Sequence, residues 1–255
     1  MDERERGEEL RREAAALRSK DRDAAGALYL EARELLQDAG AGESAGACTL
    51  AMAQMAAEEF DLETAHHLGL LAADALASDP DTQHKAYMLA GRTALASGAD
   101  ERARSCFLAA SDGPLAWQAL EALASIEFER GDLTGAEECL REAWSRLPVE
   151  GPAVAVALLR ERFGDLAFKR GDTVGALVAY QNAVSSLERC PAAESQLMRA
   201  RLMTDIADLH SSMGAIREAI QSYEAVREYY ASANLARRAE RVDERINALT
   251  WRRSG

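Results

Sequence analysis

The sequence predicts an all-α chain of stacked helix pairs, and three observations carry that expectation. Alanine is frequent throughout, and prolines number only five among 255 residues, a composition that favours long helices packed at short range. No alternating run of β-branched and aromatic residues bounded by turn residues marks a strand. Pro80, Pro114 and Pro148 recur 34 residues apart, and proline belongs at helix boundaries and first turns.

A denser pattern lies on the same frame. It begins with a small residue at Gly91, Ala124, Gly164 and Ala207, and a glycine follows seven residues later at 98, 131, 171 and 214. Five positions on stands alanine (103, 136, 176, 219), and four further a large apolar side chain: Phe107, Leu140, Tyr180, Tyr223. Three more reach Ala110, Ala143, Ala183 and Val226. Each term has a physical reason. The first small residue lets helix A of a pair touch helix B closely. The glycine takes the left-handed conformation that ends helix A. Asp100, Asp132 and Asp172, just beyond it, are placed to cap helix B. The alanine allows close packing again, and the large side chain fills the gap between neighbouring pairs.

This skeleton resembles the tetratricopeptide repeat family, over roughly residues 8–231 and most firmly from 85 onward. Earlier units are weaker: Phe60 stands at one turn-glycine position and Lys20 at another. The helix-B alanines at 25, 65, 103, 136, 176 and 219 are 33 to 43 residues apart, so the repeat is of a stretched type, with the extra residues between one helix B and the next helix A. The resemblance implies a right-handed α-solenoid of about six helix pairs, at about 8–38, 44–77, 82–111, 115–146, 153–189 and 195–231, with a capping helix at about 233–250. Residues 1–7 form a charged, disordered N-terminal segment in this reading, and 232–255 the cap and a basic tail. Leu235, Ala239, Val242, Ile246 and Leu249 give the last helix one apolar stripe. That stripe suits a cap over the final pair and also reads as a short heptad seam through which the chain would dimerise.

Charge and chemistry narrow the function. The formal net charge of −13 argues against phosphate-backbone binding, so no nucleic acid is expected. The distribution is uneven, because residues 232–255 hold six arginines against Glu240, Asp243 and Glu244. No apolar run reaches membrane-spanning length, and the charged start is no secretory leader, so a cytoplasmic location without membrane insertion is expected. Cys48, Cys106, Cys139 and Cys190 have neither metal-ligand nor redox spacing. His66 and His67 are adjacent and point to different helix faces, unlike a chelating i, i+4 pair. His210, beside Asp208, reads as a hydrogen-bonded structural histidine. No phosphate-binding loop exists. Neither a cofactor, nor a metal, nor an enzyme is expected.

The resemblance places the A helices on a concave side and directs four sets of side chains into it. These are Lys85, Met88, Arg92 and Leu95; Gln118, Glu121, Ser125 and Phe128; Glu161, Asp165, Phe168 and Lys169; and Arg201, Thr204, Asp208 and Ser211. Lys85, Met88, Arg92, Glu121, Glu161, Asp165, Phe168 and Asp208 are the expected partner contacts. The acidic second half of this set calls for a protein or peptide partner with basic and apolar residues. Members that clamp acidic chaperone tails use lysine and asparagine at the places where this chain has Met88, Arg92, Glu121, Ser125, Glu161 and Asp165, so that role is set aside. The family implies an interaction adaptor or scaffold. The alternative is a peptide- or ligand-responsive regulatory sensor built on the same repeats.

Overall fold

The computed structural model describes residues 2–148, 151–188, 190 and 192–254, and the side chains of these up to Trp251. Met1, Arg189 and Gly255, which the expected N-terminal segment, fifth pair and tail include, lie outside the described residues. Among the described residues there are thirteen helices and no strand. They are α1 (Glu3–Leu17), α2 (Arg22–Asp38), α3 (Gly42–Glu58), α4 (Leu62–Ala75), α5 (Pro80–Ala96), α6 (Asp100–Ala110) and α7 (Ala116–Glu129), followed by α8 (Leu133–Arg146), α9 (Ala153–Lys169), α10 (Thr173–Leu187), α11 (Ala193–Ser212), α12 (Ile216–Ser232) and α13 (Ala236–Ser254). None of the described helices is long and apolar enough to cross a membrane. The chain divides into two compact units, Met1–Arg130 with α1 to α7 and Gly131–Gly255 with α8 to α13. Within each, helices that follow one another in sequence pack against one another, as stacked pairs require.

The repeat residues do what their spacing predicts. All six helix-B alanines are buried. Gly91 is small because a Cβ there would sit 2.7 Å from Cε1 of the fully buried Phe107, and Gly164 makes the same room for Tyr180. The turn glycines at 98, 131, 171 and 214 all take positive φ. Phe60 takes that conformation too, at φ +61°, and is 85% exposed. A side chain that strains the backbone without packing is left over from a turn whose geometry the neighbouring helices dictate.

Three local expectations are corrected. Asp132 and Asp172 cap α8 and α10, accepting from the N–H of Gly135 at 2.9 Å and of Gly175 at 2.8 Å. Asp100 does not cap α6, because one extra residue separates it from its glycine and places it inside the first turn, with Ala99 at the cap. The first helix begins at Glu3, not near residue 8. Asp2 and Glu5 form a reciprocal capping box, and Gly7 lies buried against Leu36, close enough to bring α1 onto α2. At the other end Leu235, Ala239, Val242, Ile246 and Leu249 pack on the buried Ala219, Tyr223, Val226 and Tyr230. The stripe expected to serve as a heptad seam is thereby packed within the chain.

Candidate functional site

The expected contact residues fall in both units, and each group is best taken by itself. In the first unit Lys85 and Arg92 are exposed on α5, and Arg92 Nη2 donates to Oε1 of Gln118 on α7 at 2.9 Å. Glu121 on α7 is half-buried, with the Ser125 hydroxyl donating to its backbone carbonyl at 3.2 Å. Met88 is only 3% exposed. It belongs to the core and cannot touch a partner, because the face one turn before Gly91 turns inward at that position.

The second unit is different. Glu161 on α9 is 4% exposed, and Arg201 Nη2 on α11 donates to its Oε2 at 2.7 Å. Burial raises the Glu161 pKa against the pull of Arg201. The next acid on the same face, Asp165, accepts from the Tyr180 hydroxyl at 2.6 Å and pairs with Arg162 at 3.4 Å. Asp208 on α11 accepts from the Tyr223 hydroxyl and from Arg245 Nη1 on α13 at 2.7 Å. The Arg245 guanidinium also lies over the Tyr223 ring, 5.7 Å from its centroid. Burial pushes Asp205 up to about 6, with Arg201 pulling the other way, and burial together with the bond to Asp208 pushes the Tyr223 phenol up to about 12. The carboxylates that make this half of the sequence look acidic are therefore held by arginines and tyrosines of the same unit. Phe168, by contrast, is 52% exposed at the end of α9.

Beside this network the α9, α11, α12 and α13 side chains enclose a groove of about 740 Å³. Val154 and Leu158 of α9 face Leu197 and Met198 of α11, with Tyr230 and Val242 among the lining residues. Arg201, Arg238, Arg241 and Arg245 stand around it, with Glu194 the one acidic lining residue among the described residues. Such a space, apolar with a few charged groups, is of the size that binds ligands and peptide side chains. Sequence reasoning directed Arg201 and Thr204 to the concave side, where they line this groove, but missed its apolar residues, which lie towards the helix starts. The available signal was the stretched period: the steps of 40 and 43 residues into the fifth and sixth pairs lengthen α9 and α11, to 17 and 20 residues, and the added residues include Val154, Leu197 and Met198.

The described residues hold no group of three or more His, Cys, Asp or Glu side chains arranged for a metal ion. His66 is buried, its Nδ1–H donating to the Ala90 carbonyl at 2.9 Å, while His67 is exposed. Cys48 and Cys106 are buried, and burial raises both thiols, Cys48 to about 11, which keeps them protonated and poor nucleophiles.

No family model matches the chain, and no curated protein does. Solved structures do resemble it. BtubC (BKLC) from P. vanneervenii superposes with a TM-score of 0.65 at 18% identity, over 89% of each chain. A tetratricopeptide repeat protein from Parabacteroides merdae gives 0.65 at 15% identity, over 96% of this chain and 93% of its own. A putative kinesin light chain from P. anserina, with nearly identical TPR-like repeats, gives 0.57 at 16% identity, over 73% of this chain and 94% of its own. These likenesses are of fold: the chain is a solenoid of tetratricopeptide-type helix pairs.

Proposed function

We propose that this chain, tetratricopeptide-like by fold, is an interaction adaptor that holds a protein or peptide partner in the groove between α9, α11 and α13, and is not an enzyme. The observation that carries the reading is the apolar lining of that groove, with Val154 and Leu197 still more than a third exposed. Apolar side chains left open in a concave space are where anchor residues of a partner gain most. Glu161, Asp165 and Asp208 serve here by fixing Arg201, Tyr180 and Arg245 rather than by meeting the partner. The exposed Phe168 of the same unit adds a peripheral contact, and Lys85, Arg92 and Glu121 of the first unit form a separate contact set. Because the stripe on α13 is packed on α12, the reading favours a different protein over a second copy.

Site-specific photo-crosslinking from the full chain in its native cell tests the proposal. A photoreactive residue at Leu197 or Val154 should trap one discrete partner. The same residue at Val178, exposed on α10, should not. A partner trapped only from Val178 would move the function to the other face and end the groove reading.

A further inference from the structure

Resting on that reading, we infer that the occupant of the groove is an acidic amphipathic helix, with its apolar side chains down on Val154, Leu158, Leu197 and Met198 and its carboxylates against Arg238 and Arg241. This partner is opposite in charge to the one the sequence calls for. The acidic residues of α9 and α11 do not offer themselves to a basic partner: Glu161 is taken by Arg201 and Asp208 by Arg245. What they leave over on the groove wall is positive. Arg238 lies over the Tyr230 ring, 5.8 Å from its centroid, and neither it nor Arg241 has an ion-pair partner among the described residues. The two lie one turn apart on α13, beside Val242. Of the other charges on α13, Asp243 pairs with Arg227 of α12, and Glu240 and Glu244 are not among the groove residues. The one lining acid among the described residues, Glu194, sits at the start of α11.

The shape suits a helix. On α11 the lining residues Glu194, Leu197, Met198, Arg201 and Thr204 recur at three- and four-residue steps, so they form a single stripe about 15 Å long. A partner helix of about three turns laid along it presents anchors at the same steps, and guanidinium forks favour carboxylates on its flank. On a chain of net charge −13 the long-range field repels an acidic segment. Discrimination therefore comes from the local wall, and binding weakens steeply as salt screens it.

Fluorescence anisotropy on the full chain tests this with three labelled helical peptides. One carries leucines at i, i+3, i+4 and i+7 with glutamates beside them, the second has lysines for the glutamates, and the third has the acidic composition with the leucine order scrambled. Only the first should bind, with an affinity that falls as salt rises. Arg238→Glu/Arg241→Glu should weaken it by about tenfold or more, Arg238→Gln/Arg241→Gln by less, and Leu197→Asp should abolish it. All three positions carry exposed side chains, and unchanged melting of the variants shows that folding is intact. Equal or tighter binding of the lysine peptide, equal binding of the scrambled one, or no binding of the first overturns the inference. If crosslinking from Leu197 still traps a partner while the charge variants change nothing, the groove reading stands and the acidic occupant falls. A concentration-dependent dimer lost in Leu197→Asp would make a second copy the occupant and overturn it equally.

Discussion

The third helix pair and the last two solve one packing problem with different chemistry. In each, a small residue on helix A admits a large ring from helix B. The residue after the small one stands fifteen positions before that ring: Arg92 before Phe107, Asp165 before Tyr180, Asp208 before Tyr223. Phenylalanine buries no polar atom, so that neighbouring position is released to the surface, where Arg92 reaches Gln118. A buried tyrosine must place its hydroxyl, and each time an aspartate accepts it. The comparison teaches that the ring on helix B decides whether helix A shows its partner a charge or hides one. It also explains why α9 and α11 look acidic in sequence and are not so at the groove. Elsewhere the first unit joins successive pairs by exposed arginine–carboxylate contacts such as Arg22–Glu58 at 2.8 Å and Arg102–Glu63 at 2.6 Å, each a small contribution in water.

Transplanting the tyrosine is the sharpest way to break this comparison. Phe107→Tyr alone should cost about 2 kcal/mol in chemical denaturation, because its hydroxyl is buried without an acceptor. Adding Arg92→Asp should restore about half or more of that. If the two changes are merely additive, the ring does not dictate its neighbour. The reverse experiment is smaller. Tyr180→Phe removes one hydrogen bond and should cost about 1 kcal/mol, with no further loss when Asp165→Ala is added.

Acid titration separates the regions by sign. Burial lifts Asp205 from its ordinary 3.8 to about 6 in the folded chain. The native state therefore binds this proton more readily than the unfolded chain does. The resulting stability is full below the unfolded value and is lost as pH rises through about 6. Glu63 of the first unit runs the other way: the bond from Arg102 lowers its pKa, and its contribution, present above the unfolded value, disappears as pH falls through the folded one. Hydrogen exchange should show protection around α11 rising from pH 7 to pH 5, and Asp205→Asn should raise protection at pH 7 and flatten that rise. A rise that persists in Asp205→Asn would assign it to another group. The smallest effect expected is at the odd turn: Phe60→Gly, which relieves the left-handed strain and removes an exposed ring, should stabilise the chain by about 0.5–1 kcal/mol, read as a small upward shift in Tm.

The repeat was legible from the chain alone because it is written in local terms. Small residues at helical spacing, a glycine at each turn and an alanine where two helices touch all act within one pair, and periodicity reports them directly. Phe60 and Asp100 show how far that holds: the turn forms without its glycine, and one added residue moves an expected cap into the helix. The site was less legible. That Met88 faces the core, that Arg201 closes over Glu161 forty residues away, and that Arg245 takes Asp208 at a separation of 37 are outcomes of stacking. Whether a charge is spent or free depends on which side chains successive pairs bring within about 4 Å, a distance that no spacing along the chain encodes. Helix pairing was determined by the sequence itself. The groove, and the sign of the wall beside it, were decided only when α9, α11 and α13 came together.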